Sequence, residues 1–319
     1  MVGNTTIPGF STCNFSTSTC DSGNETVKKC GSDLFHTISR FCYGAIAALS
    51  LLAVAGNTLI LTAIRKSTFP KTTFHDILIG LALTDLCTGL IAQPLLVVKS
   101  NMFASGWSKC NIPKISATAI DVVADLIATY FVCLNALMIT LMSLERWLHL
   151  TRRSFVIARC RRFVIAFSLV IPIPLVILAG LSHFLKHYWI KYYQALLTFA
   201  TLCITCTSIS YFNVIRIIRQ HRRQVRSNAS SFSFGQPAIN LAKYHRSLKT
   251  IAYILAVFNF CFLPYAIYVS LHFIVEHAHP QLANDICLVL LFSSSSLNPF
   301  LYVWRMKDVR NAVIILFKS

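Results

Sequence analysis

Apolar residues run through the chain in long stretches separated by short polar connectors, most of them basic. Phe41–Ile64, Phe163–Leu185, Tyr192–Ile215, Thr250–Val275 and Ile286–Trp304 contain no Asp, Glu, Lys or Arg, and Ile77–Val98 contains one acid, Asp85. A seventh stretch, third in order, carries Asp121 and Asp125 near one end and Glu145-Arg146-Trp147 near the other, with no charge from Leu126 to Leu144. Each stretch is near or above the ~20 residues that take a helix across a bilayer. Continuous runs, rather than segments of roughly ten alternating residues, exclude a transmembrane barrel. The pattern predicts an all-α membrane protein, a seven-transmembrane helix bundle. After Trp304, apolar Met306, Val309, Val313 and Leu316 recur among Arg305, Lys307 and Arg310, the spacing of a short amphipathic helix lying in the interface. The expected organisation is a polar tail over 1–37, the bundle over 38–304 and the short helix over 305–319.

Composition agrees. Of 319 residues, 55% are hydrophobic and 13% charged, and the mean hydropathy is +0.62, against roughly 25% charged residues in soluble domains. The net charge of +18 raises nucleic acid as a partner, and its distribution argues against that. With the N-terminus outside, 21 of the 29 Lys and Arg fall on the inner side, in agreement with the positive-inside rule. The positive charge therefore points to anionic inner-leaflet lipid and a cytoplasmic partner. Met1–Leu34 lacks the basic start and apolar core of a cleavable signal peptide.

The outer assignment of the tail fits three glycosylation sequons, at Asn4, Asn14 and Asn24. Cys13, Cys20, Cys30 and Cys110 fall in outer, oxidising segments, and four cysteines allow three pairings. Cys42 and Cys287, near outer helix ends, form another candidate pair. No zinc-ligand spacing is present.

Small polar signatures interrupt the apolar spans, where polar groups are costly and have a reason to be there. They are Gly56-Asn57, Leu81-Ala82-Leu83-Thr84-Asp85, Glu145-Arg146-Trp147, Phe258 through Cys261-Phe262-Leu263-Pro264, and Asn298-Pro299-Phe300-Leu301-Tyr302. Five such signatures, in this order on five of seven spans, resemble the rhodopsin-like G-protein-coupled receptors over Phe41–Phe317. The resemblance implies a plasma-membrane receptor that couples an extracellular ligand to a heterotrimeric G protein. It further implies that Asn57, Asn135, Ser294, Ser295 and Asn298 gather around Asp85, with a sodium ion among them. Arg146 would engage the G protein, with Tyr211 and Tyr302 beside it. Glu145, Phe262, Pro264 and Pro299 belong to the same activation machinery, each proline removing a helix bond and creating a bend.

Departures from the pattern narrow the resemblance. The third-span cysteine and its partner in the second outer loop are both absent, as is the fifth-span proline, where Cys203 stands. These losses are similar to those of the melanocortin, cannabinoid and lysophospholipid receptors, and the Asp121/Asp125 spacing is most similar to the melanocortin receptors. In that subgroup the acids hold calcium and a basic peptide side chain, but the third acid of the site is replaced here by Leu95. Ala128 stands where amine receptors of the family carry an aspartate, which speaks against a monoamine ligand, and Phe292 stands where light receptors carry the retinal lysine, which sets an opsin aside. No acid near the start of the sixth span pairs with Arg146, since Tyr244 takes that place, so raised basal signalling is expected.

Residues four apart share a helix face, so the Asp121 and Asp125 carboxylates repel unless solvated or bridged by a cation. A ligand amine or guanidinium, or calcium, is one reading, with Tyr265 and Tyr268 as aromatic walls. Solvated acids balancing Lys99 or Lys114 are the other. The expectation is a receptor for a cationic peptide or amine. A lipid or nucleoside-like ligand and a constitutively active receptor are its alternatives. A transporter would show repeated, broken spans in its two halves, and an enzyme would show a catalytic set; neither is found in the sequence.

Overall fold

The computed structural model describes residues 24–66, 73–104, 114–151, 161–185, 187–228, 253, 256–271 and 281–318. All described elements are helical. Six helices are long and apolar enough to cross a membrane, and Ala256–Leu271 is a shorter apolar helix in the place of the sixth span. Large apolar side chains point outward from them, among them Leu51 (73% exposed), Phe163 (78%) and Phe212 (65%), as expected where the solvent is hydrocarbon. The inward faces form one core, in which Ile60, Leu78, Leu81, Met138, Phe258 and Tyr302 meet.

The first span belongs to a helix that begins at Asn24, inside the stretch read as a polar tail, and ends at Lys66. It packs on the second span and on the seventh, Gln281–Arg305. Gly56 makes the approach to the seventh close, since a Cβ there would lie 2.9 Å from both Cβ and Cγ of Pro299. Four polar contacts fasten the seam, one of them from Tyr43 OH to Asp285 Oδ1 (3.2 Å). Asn57 Nδ2 donates to the Ser295 carbonyl (3.1 Å), Ser296 Oγ to that of Leu49 (2.7 Å), and Ser39 Oγ to Asp285 Oδ2 (2.7 Å).

Two spans depart from the continuous helices expected. The second runs as α-helix over Thr73–Cys87, as a π turn over Thr88–Ala92 and as α-helix again over Gln93–Ala104. Pro94 follows the turn and has no N–H, so the Gly89 carbonyl lacks its partner five residues on. The Ser50 hydroxyl of the first span donates to that carbonyl at 2.7 Å, and the Cβ-less Gly89 lets the two helices approach closely. The fourth span breaks between Arg161–Val170 and Ile173–Phe184, where Pro172 and Pro174 remove two successive donors.

The C-terminal helix Lys307–Lys318 forms as expected, with a different apolar face toward solvent. Val309 and Val313 are buried, and Met306 and Leu316 pack against the bundle core. Ile314, Ile315 and Phe317 are the exposed apolar residues instead. The stripe expected to contact the interface thus belongs to the protein interior. Asn4, Asn14, Cys13, Cys20, Cys110 and Tyr244 lie outside the described residues, as do the side chains of Asn24 and Cys30. Cys42 and Cys287 are unbridged.

Candidate functional site

At the N-terminal end of the third span, the two acids already have a cation. Lys99, from the last turns of the second span, places Nζ 2.7 Å from Asp121 Oδ1 and 2.6 Å from Asp125 Oδ1. His183 of the fourth span lies with Nε2 3.4 Å from Asp125 Oδ2. These side chains are between one fifth and about one third exposed, so the cluster is a partly buried ion network rather than a pair of solvated acids. Of the two sequence-based readings, the balance by Lys99 is the one the structure contains, in a less solvated form. Asp121, Asp125 and His183 bring ligand-type atoms within 4.8 Å of one another, but the set does not fit calcium. Calcium takes six to eight oxygens, whereas here an ammonium sits between the carboxylates and the third donor is a nitrogen.

Removing this cation leaves two adjacent carboxylates uncompensated. Lys99→Met is expected to cost about 1–3 kcal/mol, less than a fully buried pair because the groups are partly solvated. Thermal unfolding of the purified protein checks this, and Lys99→Met/Asp121→Asn/Asp125→Asn should recover most of the loss. A triple variant no more stable than the single one would argue against the ion network as the cause.

Beside the network lies a cavity of about 430 Å³, lined by residues of all seven spans. Its walls include Tyr192, Tyr193, Tyr265, Phe262 and Phe292, together with Lys99, Asp125 and Asp285. Tyr265 therefore stands where expected, whereas Tyr268 packs beside it (ring centroids 6.3 Å apart) without lining the cavity. Asp121 is also outside the lining. Thr129 and Tyr192 share a 2.9 Å hydroxyl contact that ties the third span to the fifth. Two lining residues escaped the sequence reading. Lys99 entered it only as one of two balancing charges, and Asp285 was merely the polar edge of an apolar run.

Deeper in the bundle, Asp85 is fully buried. Asn135 Nδ2 donates to its Oδ1 and Asn298 Nδ2 to its Oδ2 (2.8 Å), and Asn135 also reaches Ser295 Oγ at 3.3 Å. Asn57 joins indirectly, through the Ser295 carbonyl, while Ser294 Oγ turns back to the Leu291 carbonyl of its own helix. Farther along, Arg146 Nε is 3.8 Å from Glu145 Oε2, and its guanidinium carbon sits 3.3 Å above the Phe74 ring. Tyr302 is fully buried with its hydroxyl unpartnered among the described residues, and Tyr211 is half-buried. Phe262 stacks on Phe258 with centroids 4.3 Å apart. Pro264 and Pro299 both lie within helices.

Residues 56–302, most of the chain, match the family described as 7 transmembrane receptor (rhodopsin family). The chain belongs to that family. The receptor spans the membrane several times and transmits binding of an extracellular ligand to a heterotrimeric G protein. It is 28% identical to a histamine H2 receptor of Cavia porcellus, over 84% of this chain and 77% of that protein. It is 20% identical to trace amine-associated receptor 5 of Mus musculus, over 86% and 84%. Squid rhodopsin shares its fold, with a TM-score of 0.67 at 16% identity, over 89% of the receptor and 86% of that chain. These likenesses do not extend to the melanocortin, cannabinoid and lysophospholipid subgroup, for which the Asp121/Asp125 spacing remains the main residue pattern.

Proposed function

We propose that the receptor is activated by a small protonated amine taken into the cavity at the N-terminal end of the third span. The carrying observation is the cavity wall itself, which combines aromatic rings with a carboxylate, Asp285, that forms no ion pair among the described residues, while Lys99, the one Lys or Arg side chain in the lining, is engaged by Asp125. About 430 Å³ suits a ligand of modest size, and ring faces attract cations. Relatives named as histamine and trace-amine receptors support the same ligand class. A melanocortin-like peptide site, by contrast, would need the acid pair that Lys99 already bridges.

Thermal shift of the receptor in nanodiscs tests the reading, with phenethylamine, tryptamine and histamine against 2-phenylethanol and a fatty acid. A binder held at 100 times its Kd stabilises by about 2.7 kcal/mol, so a protonated amine should raise the unfolding temperature where the uncharged alcohol does not. Stabilisation by the alcohol or the fatty acid alone would overturn the proposal.

The Asp85 cluster is proposed as a sodium site. Asn57 Oδ1 and Asn135 Oδ1 are buried acceptors without a hydrogen-bond partner among the described residues, and a hard cation is a suitable partner for such oxygens. Asp85, Asn135 and Ser295 would hold it, and the ion would supply the charge that balances the carboxylate. Replacing sodium by choline is then expected to lower the unfolding temperature of the wild-type receptor and leave Asp85→Asn unmoved. Equal sensitivity in both proteins would remove the ion from the account.

A further inference from the structure

The carboxylates that the sequence makes conspicuous are not the uncompensated ones. Asp121 and Asp125 share the Lys99 ammonium at 2.7 and 2.6 Å, and Asp125, the one of the two that lines the cavity, also has His183 Nε2 3.4 Å from its second oxygen. A ligand ammonium entering there meets a like charge. At about 4 Å and an effective dielectric near 20, that repulsion is of the same size as the attraction to one carboxylate.

Asp285 is in the opposite condition. It sits in the first turns of the seventh span, is 1% exposed and lines the same cavity. Its Oδ2 accepts from Ser39 Oγ at 2.7 Å and its Oδ1 from Tyr43 OH at 3.2 Å, both of the first span. These donors are neutral. Among the described residues no Lys, Arg or His forms an ion pair with it. The neighbouring Asn284 side chain also hydrogen-bonds to it, and since a carboxylate offers about four acceptor positions, capacity for a further donor remains. A carboxylate buried beside a cavity, oriented by hydroxyls and lacking an internal cation, is a site awaiting a cation from outside.

We infer that Asp285, oriented by Ser39 and Tyr43, is the anchor for the ammonium group of the ligand, and that Asp125, held by Lys99, is not. This rests on the amine reading above and assigns the charge to a specific residue. Ala128 carries no acid, so an amine entering the cavity finds its uncompensated partner on the seventh span. Tyr43 adds a ring face beside the anchor, and the body of the ligand extends toward Leu288, Phe292 and Tyr265. An ammonium held at Asp285 also touches the seam between the first and seventh spans.

The test uses the same nanodisc thermal shift with phenethylamine, tryptamine and histamine, titrated to give an apparent Kd. For any amine that stabilises the wild type, Asp285→Asn should weaken binding about 10- to 100-fold, the range for a lost charge-assisted hydrogen bond. Asp125→Asn should change it less than about threefold. Ser39→Lys supplies Asp285 with an internal ammonium and should weaken binding as Asp285→Asn does, which keeps the test open if the asparagine variant does not fold. Unchanged affinity in Asp285→Asn or Ser39→Lys, or a larger loss in Asp125→Asn, would overturn the assignment and leave the amine reading standing. If none of the three amines stabilises the wild type, the amine reading fails and the assignment falls with it.

Discussion

A receptor carrying Arg146→Leu is expected to fold with reduced stability and to lose nucleotide exchange on its G protein by at least about 100-fold. The expectation comes from how little holds the guanidinium. Its side chain is 20% exposed, its single acidic partner is the neighbouring Glu145 at 3.8 Å, and its Nε makes no hydrogen bond among the described residues. Leucine removes a poorly compensated charge, but it also leaves the buried Glu145 carboxylate without its cation and the Phe74 ring without its cation–π contact, so some loss of stability accompanies the loss of exchange. A group retained at such cost is one that acts when the helices move. If Arg146 were merely an interface anchor, exchange would survive the change, and that result would end the assignment. The companion variant probes the restraint. The Phe74 ring lies under the guanidinium at 3.3 Å, and a desolvated cation–π contact is worth about 2 kcal/mol. Phe74→Leu keeps an apolar side chain and removes the ring face. It is expected to raise unliganded exchange, with a ceiling of about 30-fold set by that energy.

Gly56→Leu is expected to abolish folded receptor, and Gly56→Ala to lower its unfolding temperature measurably. A Cβ at Gly56 would stand 2.9 Å from two atoms of Pro299. The obstacle is a ring, so no rotamer change relieves it, and the seam must open. Overpacking of this kind costs about 1–3 kcal/mol for small additions. Opening the seam also pulls on Asn57–Ser295 and Ser296–Leu49, and through Asn298 on Asp85. A Gly56→Ala protein as stable as wild type would show that the first and seventh spans separate more easily than this packing implies.

Much of the architecture is legible along the chain because membrane spans are written in long, one-signed stretches. The Asp85 cluster was legible for a related reason, since polar residues within hydrocarbon stand out. What escaped was geometry within the spans. Pro94 and Gly89 mark the second span as irregular, yet nothing local distinguishes a kink from a π turn, because the outcome depends on a hydroxyl from another helix. Pro172 and Pro174 did signal the break in the fourth span and were passed over in favour of its overall hydropathy. Asp285 is not conspicuous in the sequence, and Lys99 stands there only as one of two possible balancing charges, for one shared reason. Each lies at a span boundary, where a charge is ordinary, and its significance comes from what faces it across the bundle. The C-terminal helix shows the limit of periodicity, which finds an apolar stripe without saying whether protein or lipid covers it.

The π turn in the second span has a consequence for how such a receptor diversifies. One residue corresponds to about 100° of rotation in an α-helix. The π turn absorbs one residue, so rewinding Thr88–Ala92 as regular α-helix at unchanged chain length would turn Lys99 away from the third span by about that angle, leaving Asp121 and Asp125 to whatever enters the cavity. The receptor's choice of which carboxylate meets its ligand thus depends on the winding of a single turn of the second span.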